Sequence, residues 1–478
     1  MLAKFVLGTN VLTTLICCGF TMNFFRSQLL LATVACLSPL ANAEGPFPST
    51  YEAPAHNPTL ITNATVLTGD GQRLDDASVY FANGKIVEVS SSAPDVDTST
   101  QVIDAKGRWV TPGVIDVHSH LGVYPSPDVD AHSDGNEATA PVTAEVWAEH
   151  SIWPQDPGFG RALAGGVTTL QILPGSANLF GGRAVTLKNV ASVSYQGMKF
   201  PGAPYGLKMA CGENPKRVYG RKGSGPSTRM GNIAGYRTAW IKAQDYRDEH
   251  AKYAALSADE QKETKKPKRD LELETLAGVL NGDIIIHMHC YRADEMLTIL
   301  DLAQEFDYKV GTFHHGVEAY KIADELAEND VCGALWADWW GFKMEAYDGI
   351  QENIALVDRP DGSCAVVHSD SDEGIQRLNQ EAAKAMSRGV KAGLDIPPER
   401  AITWITSNAA KSLGIEDETG SLTPGKMADI VLWSDNPFSV YTKADHVFID
   451  GVHRYDRMNP ELQPVSDFEL GQLLEAGE

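Results

Sequence analysis

The chain has 478 residues, 43% of them hydrophobic and 22% charged, with a formal net charge of -23 at pH 7. That length calls for one large domain with a smaller one, or for two medium domains, and the composition is that of a globular protein. The negative charge and the lack of any basic stripe argue against DNA, RNA and anionic lipid as partners, because a phosphate-binding surface needs clustered Lys and Arg.

Residues 1–43 read as an address rather than as fold. From Met22 the order is one basic residue, Arg26, an apolar stretch "LLLATVACL", then Pro39 and "ANA". These are the parts of a secretory signal with cleavage after Ala43, so a periplasmic or secreted chain starting near Glu44 is expected. A further apolar segment, Met1 to Phe20, precedes it, and the sequence assigns residues 1–21 no role. Beyond residue 43 no apolar run approaches the roughly 20 residues of a membrane span. Of the 7 cysteines, Cys17, Cys18 and Cys36 fall in the leader. Cys211, Cys290, Cys332 and Cys364 are scattered without CxxC spacing and read as buried free thiols, although an oxidising compartment permits a bridge.

Residues 44–110 read as short strands. "ANGKIVEV" places Asn83-Gly84 between two alternating runs, a hairpin signal because both turn positions tolerate positive φ. Residues 411–478 repeat that style, with Asp450-Gly451 inside "DHVFIDGVHRYD". Neither segment buries a core alone, so the two chain ends are expected to meet in one small β-sandwich.

The centre, 111–410, alternates apolar, β-branched runs with helix-length amphipathic segments. The runs are "GVIDVHSH", "GVTTLQIL", "RAVTLKNV", "PYGLKMA", "DIIIHMHC", "KVGTFHHG", "DVCGALWA" and "CAVVHSD". Eight strands in this pattern predict a parallel α/β barrel, the (β/α)8 TIM-like architecture. Residues 241–280, charged and helical in pattern, read as an insertion at the barrel mouth or rim.

The strand ends carry the chemistry. In a strand His118 and His120 project to the same side, about 6 to 7 Å apart along the chain. At a C-terminal strand end that side faces the lumen, where two neutral imidazoles suit a divalent metal or, equally, pair with backbone near a turn. Other ends present His287 and His289, His314 and His315, and Asp370, each after an apolar run where an unpartnered polar group is costly. Asp372 serves equally well as the N-cap of the following helix. Four such ends aimed into one lumen point to a metal cluster.

At this point the sequence resembles the amidohydrolase superfamily, in its imidazolonepropionase-like branch. The resemblance rests on "TPGVIDVHSHL" after a β segment, "GGVTT", the strand-end histidines, the "HSD" aspartate and the closing "SNAAKSLGI…GSLTPGKMADIVLW". It implies a barrel with a split β-sandwich and a hydrolytic site with a divalent metal, two Zn2+ per chain. Carried over by position, it implies that His118 and His120 hold the more buried ion, that Lys208 in carboxylated form bridges the two, and that His287 and His315 hold the second. It implies Asp370 as ligand and proton carrier. By the same alignment His287 is favoured over His289 as the ligand, and His315 over His314; Glu213 stays open as a substitute for the lysine bridge.

A metal-activated hydroxide would then attack a carbonyl, with Asp370 taking the proton and delivering it to the leaving nitrogen. The resemblance points to a small-molecule amide, a dipeptide or N-acyl amino acid, as substrate. Arg217, Tyr219, Tyr291 and Arg292, with His289, are candidates for reading its carboxylate and are as readily explained by local ion pairing. His132 and the glycines of "LPGSANLFGGR" are further candidates for the pocket wall. The alternatives are a hydrolase or deaminase of a cyclic amide or amidine, and a non-catalytic metal-binding scaffold; homo-oligomerisation is left open.

Overall fold

The computed structural model describes residues 46–465, so residues 1–45, where a secretory leader was expected, and residues 466–478 lie outside the described residues. Five strands come first: β1 (Thr59–Leu67), β2 (Arg73–Ala82), β3 (Lys85–Ser90), β4 (Gln101–Asp104) and β5 (Trp109–Pro112). Eight follow as staves: β6 (Val114–Ser119), β7 (Val167–Ile172), β8 (Phe180–Lys188), β9 (Tyr205–Ala210), β10 (Ile284–His289), β11 (Val310–His314), β12 (Cys332–Leu335) and β13 (Ala365–Val367). The last are β14 (Ile430–Trp433), β15 (Ala444–Ile449) and β16 (Val452–Asp456).

The staves pair in chain order from β6 to β13. Between β13 and β6 the barrel closes through side chains and single backbone bonds. Buried Asp116 accepts from the Ser369 amide at 3.1 Å and from its hydroxyl, and the Asp370 amide donates to the His118 carbonyl at 2.9 Å. All eight apolar runs form staves, with one correction. β8 runs antiparallel to both β7 and β9: the link from Ile172 to Phe180 is shorter than the dozen or more residues a parallel return needs, and the link from Lys188 to Tyr205 holds no α-helix.

Strands from both chain ends form one mixed sheet, in the order β16-β15-β14-β5-β1-β2-β3, with β4 beside β1. The two segments join where β5 pairs antiparallel with β14. Phe81 on β2 and Phe448 on β15 touch at 5.2 Å although three strands separate theirs, so the sheet curls over its own core of Ile61, Val66, Phe81, Ile430 and Phe448. Both expected turns have left-handed backbone at both positions: φ is 52° and 77° at Asn83-Gly84, and 48° and 72° at Asp450-Gly451.

The stretch read as an insertion belongs to the crossover from β9 to β10. Its long helix, Arg229–Ala254, starts earlier than expected, capped by Thr228, and packs against the helix Leu271–Leu280. Trp240 on the long helix is fully buried between Phe180 and Tyr308, so this layer is part of the barrel's outer wall. The cysteines differ from expectation as well. Strand neighbours bring Cys211 beside Cys290 and Cys332 beside Cys364, and both pairs form disulfides. Among the described residues no helix is long and apolar enough to cross a membrane.

Candidate metal centre

β6 sets the site by its two-residue period. Asp116, His118 and His120 share a side, with Asp116 lowest, fully buried in the barrel seam. Burial pushes the Asp116 carboxyl up to about 7 against the opposing bonds from Ser369 and the His118 amide. One step along, the His120 Nδ1–H donates to the Leu173 carbonyl at 2.8 Å, which leaves the lone pair on Nε2. That nitrogen stands 3.1 Å from Asp370 Oδ1, and the His118 Nε2 stands 3.5 Å from the same oxygen. His315 Nε2 lies 3.7 Å from Asp370 Oδ2. His315 and Asp370 both hold left-handed backbone, φ 67° and 50°, a strained arrangement concentrated where the side chains converge.

The donor set fits a cation. A tetrahedral ion with bonds of about 2.0–2.1 Å keeps its ligand atoms about 3.3–3.4 Å apart, close to the spacings around Asp370. The ligand atoms of His118, His120 and Asp370 lie within 4.8 Å of one another, as do those of His118, His315 and His368. Burial, with the field of Lys208, holds His118 and His289 well below the ordinary imidazole range, and burial brings His287 and His368 to about 3. The imidazoles are therefore neutral at neutral pH, the form that binds metal. Burial pushes Asp370 up, but its contacts with His120 and the field of the neighbouring polar groups and Lys208 outweigh it and keep the carboxyl below its usual value.

Lys208 reaches the cluster from β9. It is fully buried, its Nζ lies 3.1 Å from His118 Nε2, and burial lowers it to about 7, with Asp370 opposing. Glu213, the alternative bridge, opens the helix Glu213–Arg221 and pairs with Lys343 at 3.5 Å instead.

The geometry corrects the assignment of His287. Its Nδ1 meets His314 Nε2 at 2.9 Å and its Nε2 meets the Gln171 amide at 3.1 Å, so neither nitrogen is free for an ion. His314 in turn meets His118 through Nδ1 at 2.8 Å. These three imidazoles and Gln171 form a buried chain behind His118, and its direction fixes the His118 tautomer. Turning the Gln171 amide over puts its unpartnered oxygen, rather than its nitrogen, against His287; each ring then donates toward Gln171 and His118 keeps a lone pair on Nε2. His289, two residues further along β10, packs against His315 at 4.8 Å and has a buried Nδ1 with no partner. The sequence could not choose between them, since both face the lumen.

Two other expectations also change. The Tyr219 hydroxyl donates to the Ala140 carbonyl at 2.6 Å from a buried ring, and exposed Arg292 forms a two-pronged pair with Asp294 at 2.9 Å, so neither is turned to the cluster. His132 packs against Trp153. Tyr291 does belong: its ring stacks on His315 at 5.7 Å. Arg217 stands exposed near the mouth, where its charge acts on Lys343. The sequence reading missed His368, Trp336 and Lys343. Trp336 stacks on His315 at 4.4 Å, and Lys343 Nζ lies 3.9 Å from the centre of the Tyr291 ring. The signal for His368 was present in "VVHSD", one period before Asp370 on the same face.

A barrel whose strand ends converge on two imidazoles, a buried lysine and a carboxylate can hold a divalent ion and activate water beside it. Comparison with known proteins agrees. The amidohydrolase family profile matches residues 361–453. A crystal structure of an amidohydrolase from Thermotoga maritima MSB8 is 36% identical, with a TM-score of 0.76 over 84% of this chain and 100% of that one. The amidohydrolase tasK of Hapsidospora irregularis is 32% identical over 440 residues, 84% of this chain, which spans only 43% of tasK. Imidazolonepropionase of Shewanella loihica is 26% identical over 395 residues, 75% of this chain and 87% of that protein. The chain belongs to the amidohydrolase family.

Proposed function

We propose that the protein is an exported hydrolase of a peptide-like amide, a dipeptide or N-acyl amino acid. Its divalent ions, two Zn2+ in this reading, would be held by His118, His120 and Asp370 on one side and by His289 and His315 on the other. The observation that carries it is the approach of the His118 and His120 Nε2 atoms to one oxygen of Asp370, at 3.5 and 3.1 Å. A bound divalent ion supplies hydroxide near neutral pH and polarises a carbonyl oxygen.

The chain's own groups do the rest. Asp370, ionised at neutral pH, accepts the proton of the attacking water and returns it to the leaving nitrogen as the C–N bond breaks. Lys208, with its pKa near 7, has a neutral amine available to add to carbon dioxide, and loss of the proton leaves a bridging carbamate. Turning the Asn214 amide lets its oxygen accept from both the Ser176 hydroxyl and the His289 Nε2–H, contacts of 3.0 and 3.3 Å, which presents Nδ1 as the ligand atom. Trp336 and Tyr291 wall His315 from water, while Lys343 and Arg217 supply cations at the mouth for a substrate carboxylate. Two disulfides support an oxidising destination for the chain, in keeping with the leader.

The likeness to imidazolonepropionase favours a second reading, hydrolysis or deamination of a cyclic amide or amidine. Elemental analysis of the purified chain, with a panel of dipeptides, N-acyl amino acids and heterocyclic amides, separates them. Turnover of the linear amides by metal-loaded protein supports the proposal. Turnover of heterocycles alone selects the second reading, and metal-loaded protein inert on every class overturns both.

A further inference from the structure

A second cluster of ligand-type side chains lies in the small mixed sheet. β15 and β16 pair antiparallel with His446 opposite Asp456 and Val447 opposite Tyr455. Regular pairing would then set Phe448 opposite Arg454. Instead a bulge skips Arg454 and sets Phe448 opposite His453. Residues directly opposite one another point to the same face, and so do residues two apart in one strand. The bulge therefore moves His453 onto the face that carries His446, Phe448 and Asp456; without it His453 would point the other way.

What this arrangement brings together is a ligand set. His446 Nδ1 lies 3.1 Å from His453 Nε2 and 3.5 Å from Asp456 Oδ2, and the three ligand atoms all fall within 4.8 Å of one another. Those spacings bracket the edge of about 3.3–3.4 Å for a tetrahedral ion with bonds of about 2.0–2.1 Å. The His453 ring is fixed by stacking on buried Phe448 at 4.6 Å and 17°. The neighbouring cations Arg108 and Arg457 are both held by Asp445, at 2.7 and 2.8 Å, which limits repulsion of a metal. The three side chains are half-buried, so a water can complete the shell.

We propose that His446, His453 and Asp456 form a second divalent-cation site, separate from the barrel cluster, which clips edge strand β16 to β15. Its donor set, two imidazoles and one carboxylate with an open position, is that of a zinc-type ion. Binding there would stabilise the folded chain by mass action, because the three donors come together only when the hairpin is formed.

The test starts from a His118→Asn, His289→Asn, His315→Asn, Asp370→Asn chain, disabled at both barrel positions, stripped with a chelator and titrated with zinc chloride. The expected result is about one zinc bound with a rise in melting temperature, both lost when His446→Gln and His453→Gln are added, and both weakened by Asp456→Asn alone. In a chain with an intact barrel, the His446→Gln, His453→Gln pair should leave amide hydrolysis unchanged while removing one zinc. Equal zinc content and an equal melting shift with and without the two imidazoles would overturn the proposal and leave a hydrogen-bonded histidine pair. The readout does not depend on hydrolysis, so it is unaffected if the barrel acts on another substrate.

Discussion

Two buried lysines stand 20 residues apart on adjacent staves, and their surroundings could hardly differ more. Lys188, at the end of β8, points to the small sheet. Its Nζ contacts both oxygens of Asp429 at 3.3 Å and Asp450 Oδ1 at 2.8 Å. Lys208, on β9, faces the lumen with one hydrogen-bond partner, the His118 ring. Desolvating an ammonium is costly, and carboxylates beside Lys188 offset that cost while nothing comparable serves Lys208. The first lysine joins two parts of the fold. The second is kept short of counter-charge, which drives it toward the neutral amine that chemistry at a metal centre needs.

The largest effect should come from the carboxylate that meets His118 and His120. Asp370→Asn should lower turnover by about 10²–10⁴-fold, the range of a lost general acid–base. Metal content should fall far less, because His118 and His120 remain; a variant that keeps its rate would remove Asp370 from the reaction. Next is Lys188→Met, which leaves Asp429 and Asp450 without their cation and should cost about 3–5 kcal/mol in denaturant unfolding. Lys208→Met should do the reverse, with the fold retained and metal content reduced. Matching stability losses in the two lysine variants would erase the contrast between them.

The contrast has a pH signature. Burial lowers folded Lys208 to about 7, against 10.5 for an ordinary lysine. Between those values the unfolded chain binds a proton that the folded chain does not. Stability of the metal-stripped protein should therefore rise with pH across this window and be lost as pH falls toward 7. Lys208→Met should flatten that slope in pH-dependent melting, whereas a slope that survives the substitution has another source.

Much of this was legible because the pattern encodes burial. Apolar runs marked every stave, four of them ending in His or Asp, and Asn83-Gly84 and Asp450-Gly451 marked the turns. What the pattern does not encode is direction, partner or depth. β8 is as apolar as its neighbours, so nothing in its composition showed that it runs backwards. Cys211 and Cys290 are 79 residues apart and pair only because β9 and β10 are adjacent. His287 and His289 share a face, and depth in the barrel alone separates a ring bound up with Gln171 and His314 from one beside His315. Lys343 and Trp336 come from the segment after β12, where no periodicity announces a site.

The smallest expected effect tests that difference in depth. If the chain Gln171, His287, His314, His118 fixes which nitrogen of His118 carries the proton, its far end matters although Gln171 touches no ligand. Gln171→Met keeps the volume and removes the acceptor, so His287 Nε2–H loses its partner and the opposite tautomer of the chain becomes accessible. That tautomer puts the proton on His118 Nε2, where it blocks the metal. Zinc affinity should fall by about tenfold, the lower end of what such supporting contacts contribute, with the melting temperature of the metal-free chain nearly unchanged. Unaltered affinity in a competition titration would show that His118 is oriented without the relay, and that His287 and His314 serve only to fill the barrel interior.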